Sequence, residues 1–427
     1  MHKQLYLTVI LMLIMFPASE DIYGSSGGDY WPTWRGPDST GAARSGNPPI
    51  TWSENENIKW KVEIPGESLS SPVIWENKIF FLTAIKADDT DVHKFDIVCL
   101  NRDNGEILWQ KTAAQDTPHE GHHESSSFAS YSPVTDGKYV WAGFGSRGLY
   151  CYDTDGNLKW SKPLTKMNKR RAFGEGSSAA LAGDAVVVVC DHEGDSVIFA
   201  FNKETGELFW QKNRDEGTNW ASPVAVEVDG KMQVVVNANK AIRSYDAKNG
   251  EIIWHSSGMT ESVIPTPVVG HGMIYCMSGF RGSALHAIKL GHTGDLNNTD
   301  AVVWKMSDGT AYVPSAVLLG DKLFFCASEK NTGVVSCYDA KTGKALYSKQ
   351  RLDGIDMIYA SFVGVDDRVY VAGRNGTVVV LKNSDTFEVL AANKLEDGFD
   401  ATPAIVGDEL YLKGRKNFYC IAKPETM

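Results

Sequence analysis

Six tryptophans recur along the chain at nearly constant intervals: Trp60, Trp109, Trp160, Trp210, Trp254 and Trp304 are separated by 49, 51, 50, 44 and 50 residues. Tyr347 follows 43 residues later as a weakened copy. A period of about 47 residues in a soluble chain means a solenoid, a propeller or an array. Five of these aromatics stand four residues after a glycine, at Gly105, Gly156, Gly206, Gly250 and Gly343. Ahead of the glycines come Asn101, Asp153, Asn202, Asp246 and Asp339. Asp and Asn hydrogen-bond their own turn backbone and Gly accepts positive φ, so each unit reads as a strand, a tight turn and a Trp-bearing strand.

A second element keeps step with the first. It opens with Ser71, Ser132, Ser178, Ser222, Thr266, Ser315, Ser361 or Thr402, followed in most copies by Pro-Val or Ala-Val. Each copy then meets a polar turn, such as Asp136-Gly137 or Gly407-Asp408, and an apolar strand such as Lys138–Ala142 or Leu410–Lys413. Proline at a strand's start is tolerated because its missing N–H is not needed there. Eight copies of about four strands each predict an all-β, eight-bladed β-propeller of four-stranded antiparallel blades. An open solenoid would leave a long unpaired edge. The chain ends on Phe418–Ala422, a third strand without a Trp-bearing fourth, while the orphan strand Asn57–Lys61 lies near the start. Pairing the two would close the circle, with the N-terminal strand completing the last blade.

The N-terminus has Lys3, then an apolar run from Leu5 to Phe16, then Pro17-Ala18-Ser19, which is the pattern of a secretory signal. The run falls short of the roughly 20 residues a membrane span needs. The expected layout is a signal peptide at 1–19, cleaved somewhere within 18–28, an arm at 20–56, the propeller at 57–423 and a tail at 424–427. With 42 Lys+Arg against 53 Asp+Glu, the net charge of −11 argues against a nucleic-acid partner. No transmembrane segment and a monomer are expected. The first of seven cysteines is Cys99, so no lipid-bearing cysteine follows the signal, and there is no CxxC or adjacent pair. Cys99, Cys151, Cys337 and Cys420 share a repeat position that Ala200, Ser244, Ala287 and Val380 fill elsewhere, which marks a small buried side chain. Cys326 and Cys337 would face each other across a predicted hairpin and could form a bond there.

Leu149–Trp160, Ile198–Trp210 and Ser336–Tyr347 resemble the repeat of the pyrroloquinoline-quinone (PQQ) propellers, related to quinoprotein alcohol dehydrogenases. The likeness covers about residues 57–423. The leader Trp31-Pro32-Thr33-Trp34-Arg35-Gly36-Pro37 resembles the one that precedes such propellers in exported bacterial proteins. One branch of the family implies a dehydrogenase using PQQ and Ca²⁺. Its members are longer, and many stack an adjacent cysteine pair on the quinone, which is absent here. The other branch, BamB-like, implies an eight-bladed envelope scaffold that binds protein partners and catalyses nothing. The expected function is therefore an exported, non-catalytic binding or scaffold propeller, periplasmic or extracellular, needing no cofactor, with the PQQ/Ca²⁺ oxidoreductase as the alternative.

Loops on a rigid scaffold are where function sits. Those joining each outer strand to the next inner strand share a face with the second-to-third-strand turns. Arg147, Arg281, Arg374 and Arg415 fall in such turns, Arg170, Arg171 and Arg214 in long loops, and Trp220, Tyr312 and Tyr359 near the channel mouth. A cationic, aromatic-lined funnel would attract an anionic ligand or a protein partner's acidic segment. The plain alternative is solvated turns with the arginines neutralised by Asp215, Glu216, Asp353 and Asp356. The longest loop carries His119, Glu120, His122, His123 and Glu124, formally H-E-x-x-H, which needs two His one helical turn apart. Pro118 and Gly121 oppose a helix there, leaving metal binding by His119, His122, His123 and Glu124 or a solvated loop. Asp153-Thr154-Asp155-Gly156 opens like a calcium loop but lacks the distal Glu, and its counterpart in the next repeat is plain turn chemistry.

Overall fold

Alternating apolar strands and Asx-Gly turns fold each repeat into a four-stranded antiparallel blade, and eight such sheets make up the molecule. The structure, a computed structural model, describes residues 30–328 and 330–424. The expected signal peptide lies outside them. Blade 1 runs Val73–Trp75, Lys78–Lys86, His93–Asn101 and Ile107–Asp116 from the channel outward. Six further blades follow in chain order, and blade 8 combines Ala404–Val406, Glu409–Lys413 and Asn417–Ile421 with Ile58–Glu63 as its outer strand. The closing strand pairs antiparallel with the last one, Trp60 opposite Cys420 and Lys61 opposite Tyr419. It extends two residues beyond the expected Lys61, because Val62 and Glu63 pair with Phe418 and Asn417.

Two contacts repeated around the circle bind neighbouring blades. In the outer ring, each indole lies on the turn of the next blade. A side-chain carbon added at Gly105 would sit 2.8 Å from the Trp60 ring, and one at Gly250 would sit 2.5 Å from Trp210. Both glycines also hold positive φ, 75° and 71°, so the position is closed to larger residues twice over. The indole N–H completes the joint, Trp60 donating to the Arg102 carbonyl at 2.8 Å and Trp210 to that of Ala247 at 2.9 Å. Trp254 departs from this scheme. The segment after Lys289 inserts Gly294–Asp295 as a parallel strand beside it, and Leu296 and Ala301 bury its ring in place of a turn.

In the inner ring, the backbone N–H of each Ser or Thr that opens a blade donates to the hydroxyl oxygen of its counterpart in the next. Ser71 donates to Ser132 at 2.9 Å, Ser132 to Ser178 at 2.9 Å and Ser178 to Ser222 at 3.0 Å. Ser222 donates to Thr266 at 3.0 Å, Thr266 to Ser315 at 2.9 Å and Ser315 to Ser361 at 2.9 Å. Ser361 then donates to Thr402 at 3.1 Å, and Thr402 returns to Ser71 at 2.9 Å. The circle is complete.

The arm is built into this wheel. Tyr30–Trp31 pairs with the channel-side edge of Val73–Trp75. The chain then crosses the face of the first-to-second-strand turns, taking N–H bonds from Thr135, Leu318 and Gly364. Arg35 is buried there and donates to the carbonyls of Phe362 and Ala316. Further on, Trp52 is buried against Tyr370 of blade 7.

The hairpin register corrects one expectation. Cys326 stands opposite Val335 and Cys337 opposite Phe324, so the two do not face each other. All seven cysteines are free and buried, and burial pushes the Cys99 thiol up to about 12. Under non-reducing denaturation all seven thiols should therefore titrate with Ellman's reagent; five would indicate a bond. The ring closure predicts that Trp60→Ala, which removes a buried indole and its hydrogen bond, costs about 3–5 kcal/mol in urea unfolding.

Candidate functional site

The outer-to-inner loops and the second-to-third-strand turns meet on one face around a central cavity of about 460 Å³. Its floor is the hydroxyl ring, with Ser71, Ser132, Ser178, Ser222, Thr266, Ser361 and Thr402 lining it together with Trp34 of the arm. Phe173, Trp220, Phe280, Tyr312 and Tyr359 form the walls. Such a volume, apolar walls and a few polar groups suit a small ligand or an inserted side chain.

The aromatic walls already face cations. The Lys169 ammonium lies 5.2 Å from the Trp220 ring centre, and the Arg374 guanidinium 4.2 Å from that of Tyr359. Arg281 lies 5.4 Å from Phe280, which stacks on Tyr312 at 4.8 Å. A ring whose π density is engaged by one cation is a poorer partner for a second and a better one for an electron-rich group. Lys169 is itself buried, donating to the carbonyls of Asp191 and Asn219, and burial lowers its pKa.

Sequence reasoning named ten residues for this face, and the structure sorts them. Arg171, Trp220, Tyr312 and Tyr359 line the cavity. Arg214 does not: it is buried in a two-pronged pair with Asp191 at 2.7 and 3.0 Å. Arg147 is also withdrawn, lying 3.7 Å from Glu175, 3.8 Å from Asp116 and over the Phe95 ring. Arg170 and Arg281 share Glu261, at 2.8 and 3.4 Å. Arg374 and Arg415 share Asp400, at 2.6 and 2.7 Å. The neutralising acids are thus not those expected; Asp215 and Glu216 pair with Lys240 and Arg243 instead. Arg171 alone of the seven arginines has no carboxylate partner, and its side chain is exposed at the cavity. Sequence reasoning missed Phe173, Phe280 and Asp400. The Ser/Thr register was visible, but not its role as a floor.

The histidine loop is irregular, in keeping with Pro118 and Gly121. Residues 117–123 contain no helical turn, so His119 and His123 are not stacked as H-E-x-x-H requires. His119 donates to the Met167 carbonyl at 2.7 Å, His122 packs edge-on against Phe128 and His123 against Phe173, while Glu124 is exposed. These four do not converge. The ligating groups that do meet are His119, Glu120 and Glu175, within 4.8 Å of one another. Their carboxylates are occupied: Glu120 accepts the Lys169 N–H at 3.1 Å, and Glu175 accepts from Ser146 and from Tyr131 at 3.1 Å.

The same test applies to PQQ with Ca²⁺. Calcium takes six to eight oxygen ligands, and a quinone tricarboxylate needs several free cations. Both carboxylates lining the cavity are engaged, Glu175 as above and Asp400 by two arginines, and the only cation free of an acid among the named arginines is Arg171. These residues do not fit that pair.

Fold and cavity together define a propeller of PQQ-type repeats with a loop-face funnel. Residues 37–172 and 93–348 match the family model described as outer membrane protein assembly factor BamB, and the chain belongs to that PQQ-repeat family. No curated protein matches the sequence. Among solved structures, the chain is similar to BamB from Moraxella catarrhalis, at 15% identity and TM-score 0.59, over 86% of this chain and 98% of that one. It is also similar to the quinohemoprotein alcohol dehydrogenase from Comamonas testosteroni, at 11% and 0.66, over 93% and 81%. The computationally designed Ika8 protein matches at 13% and 0.57, over 85% and 99%. An assembly factor, a dehydrogenase and a designed chain share the architecture, so these likenesses establish the fold and not an activity.

Behind Asp400 lies a second buried lysine. The Lys413 ammonium donates to the Ser68 carbonyl at 2.7 Å, and burial pulls its pKa down to about 7 despite Asp397 and Asp400. The unfolded chain holds that proton up to about 10.4, so the penalty for charging Lys413 is complete below pH 7 and fades as pH rises toward 10. The stability of wild type relative to Lys413→Met should therefore increase over this interval, by up to about 1.4 kcal/mol per pH unit. A flat difference in urea midpoints would contradict the burial argument.

Proposed function

We propose that the chain is an exported, non-catalytic binding protein of the bacterial cell envelope, whose loop-face funnel receives an anionic ligand or an acidic segment of a protein partner. The observation that carries this reading is Arg171, a guanidinium with no carboxylate partner beside a cavity whose aromatic walls already face Lys169, Arg281 and Arg374. In a chain of net charge −11, an acid left unmatched would be unremarkable; a cation left unmatched at a cavity marks a place for an anion. The carboxylates at the cavity support binding of an anion, since Glu175 accepts from Ser146 and Tyr131 and Asp400 is held by Arg374 and Arg415, which leaves Arg171 unmatched. Export is supported by the basic and then apolar N-terminus. Among the described residues no helix is long and apolar enough to cross a membrane.

The probe is 4-phenylbutanoate, a monoanion with an aromatic body, titrated calorimetrically. Arg171→Ala should weaken its binding about tenfold, the scale of one lost charge-assisted hydrogen bond. Arg281→Ala, at a position already paired with Glu261, should change it less than twofold. Equal effects of the two substitutions would remove Arg171 from its assigned role.

A further inference from the structure

The hydroxyl ring at the floor of the funnel has unused capacity. A serine or threonine hydroxyl carries one proton to donate and two lone pairs to accept with. Around the ring, each oxygen accepts one backbone N–H from the neighbouring blade. None of the eight hydroxyl protons has an acceptor within the described protein, although each residue is at most 6% exposed. Leaving a buried donor unmet costs about 1–3 kcal/mol, so these protons are offered to whatever occupies the channel. Accepting an N–H also polarises each hydroxyl and makes it a stronger donor. Seven of these residues line the same cavity as Arg171 and the aromatic walls. No carboxylate belongs to this inner ring.

We propose that the ring is an oxyanion-binding floor, and that the funnel takes a ligand with a carboxylate head and an aromatic or aliphatic body, inserted head first. The head accepts hydrogen bonds from several ring hydroxyls at once, using the protons that the ring leaves without an acceptor. The body lies between Trp220, Tyr312 and Tyr359, and Arg171 draws the anion in from the exposed end of the cavity. This deepens the reading given above and rests on it. A free organic acid and the C-terminus of a polypeptide present the same chemistry, and the probes separate the two.

The experiment compares carboxylate and carboxamide pairs: 4-phenylbutanoate with 4-phenylbutanamide, and N-acetylphenylalanine with its amide. An amide carries no charge and replaces one acceptor oxygen by an NH₂ group that cannot accept the ring's hydroxyl protons. In the wild-type protein the acid should bind at least tenfold more tightly than its amide. In Arg171→Ala the acid should weaken yet keep a preference of at least threefold, because the floor is intact. Loss of all preference in that variant would overturn the floor while leaving the funnel's attraction for anions in place. Absence of any preference in the wild type would instead overturn the anionic reading itself. Thr266→Val and Thr402→Val remove single hydroxyls with little change of shape and should weaken the acid about threefold and the amide, with one acceptor oxygen fewer, less. Should either variant fail to fold, the comparison in Arg171→Ala still decides. Tighter binding of N-acetylphenylalanine would assign the source to a protein terminus, and tighter binding of 4-phenylbutanoate to a small acid.

Discussion

Each blade donates one backbone N–H to a hydroxyl of the next, and the last donates to the first. That circuit is the constraint on which the rest of the molecule depends. Single hydrogen bonds of this kind contribute only about 1 kcal/mol each, but a closed circuit fixes geometry as well as energy. It sets the angle between neighbouring sheets, holds the inner strands at one height and leaves every ring hydroxyl buried. An open array would break the circuit at one joint and expose two unpaired sheet edges. Closure by Ile58–Glu63 avoids both, because the strand that completes blade 8 continues toward blade 1, where Ser71 accepts from Thr402.

Tryptophan does at the rim what serine and threonine do at the axis. An indole is large enough to fill the wedge between two twisted sheets that diverge outward, and its N–H removes the cost of burying the facing turn carbonyl. The exceptions support this account. Where the fifth blade's turn is lengthened by the 290–301 segment, Trp254 keeps its apolar burial but its N–H has no partner. Tyr347 likewise leaves its hydroxyl without a partner and packs edge-on against Phe387. In both cases the apolar contact is retained and the polar one is lost, so packing is the more demanding half of the joint.

The same contrast explains what could be read from the sequence. Anything that repeats was legible: the blade count, the Asx-Gly turns, the register of Ser71 through Thr402 and the orphan strand at the start. Each copy confirms the others, so a single chain acts as its own alignment. Loops do not repeat, and there the reading ran out. Nothing local to Arg214 points to Asp191, which lies 23 residues away and meets it only after two strands have paired. Asp400 is equally remote from Arg374, 26 residues off, yet it holds that side chain and Arg415 together. The arm was read as a separate segment because it lacks the period. The structure places it across the turn face, where Arg35 and Trp52 are buried and bond to blades 6 and 7.

The position of Arg171 brings these strands of argument together. Arg171 and Ala172 both hold positive φ, 54° and 53°, a conformation that costs non-glycine residues about 1–2 kcal/mol each. Such strain persists only where the surroundings over-determine the backbone, and here they do so from both sides. Upstream, the Lys169 ammonium is fixed by Asp191 and Asn219, its N–H by Glu120, and the Arg170 N–H by Thr218. Downstream, the Phe173 carbonyl accepts from His123. Arg214 then locks Asp191 in turn. The buried Arg214, which the sequence placed among the binding groups, therefore acts one step removed through Asp191, holding the strained turn that turns Arg171 outward. A binding group held in place before its ligand arrives loses little freedom on association, which is the physical advantage of building a recognition site on a closed wheel.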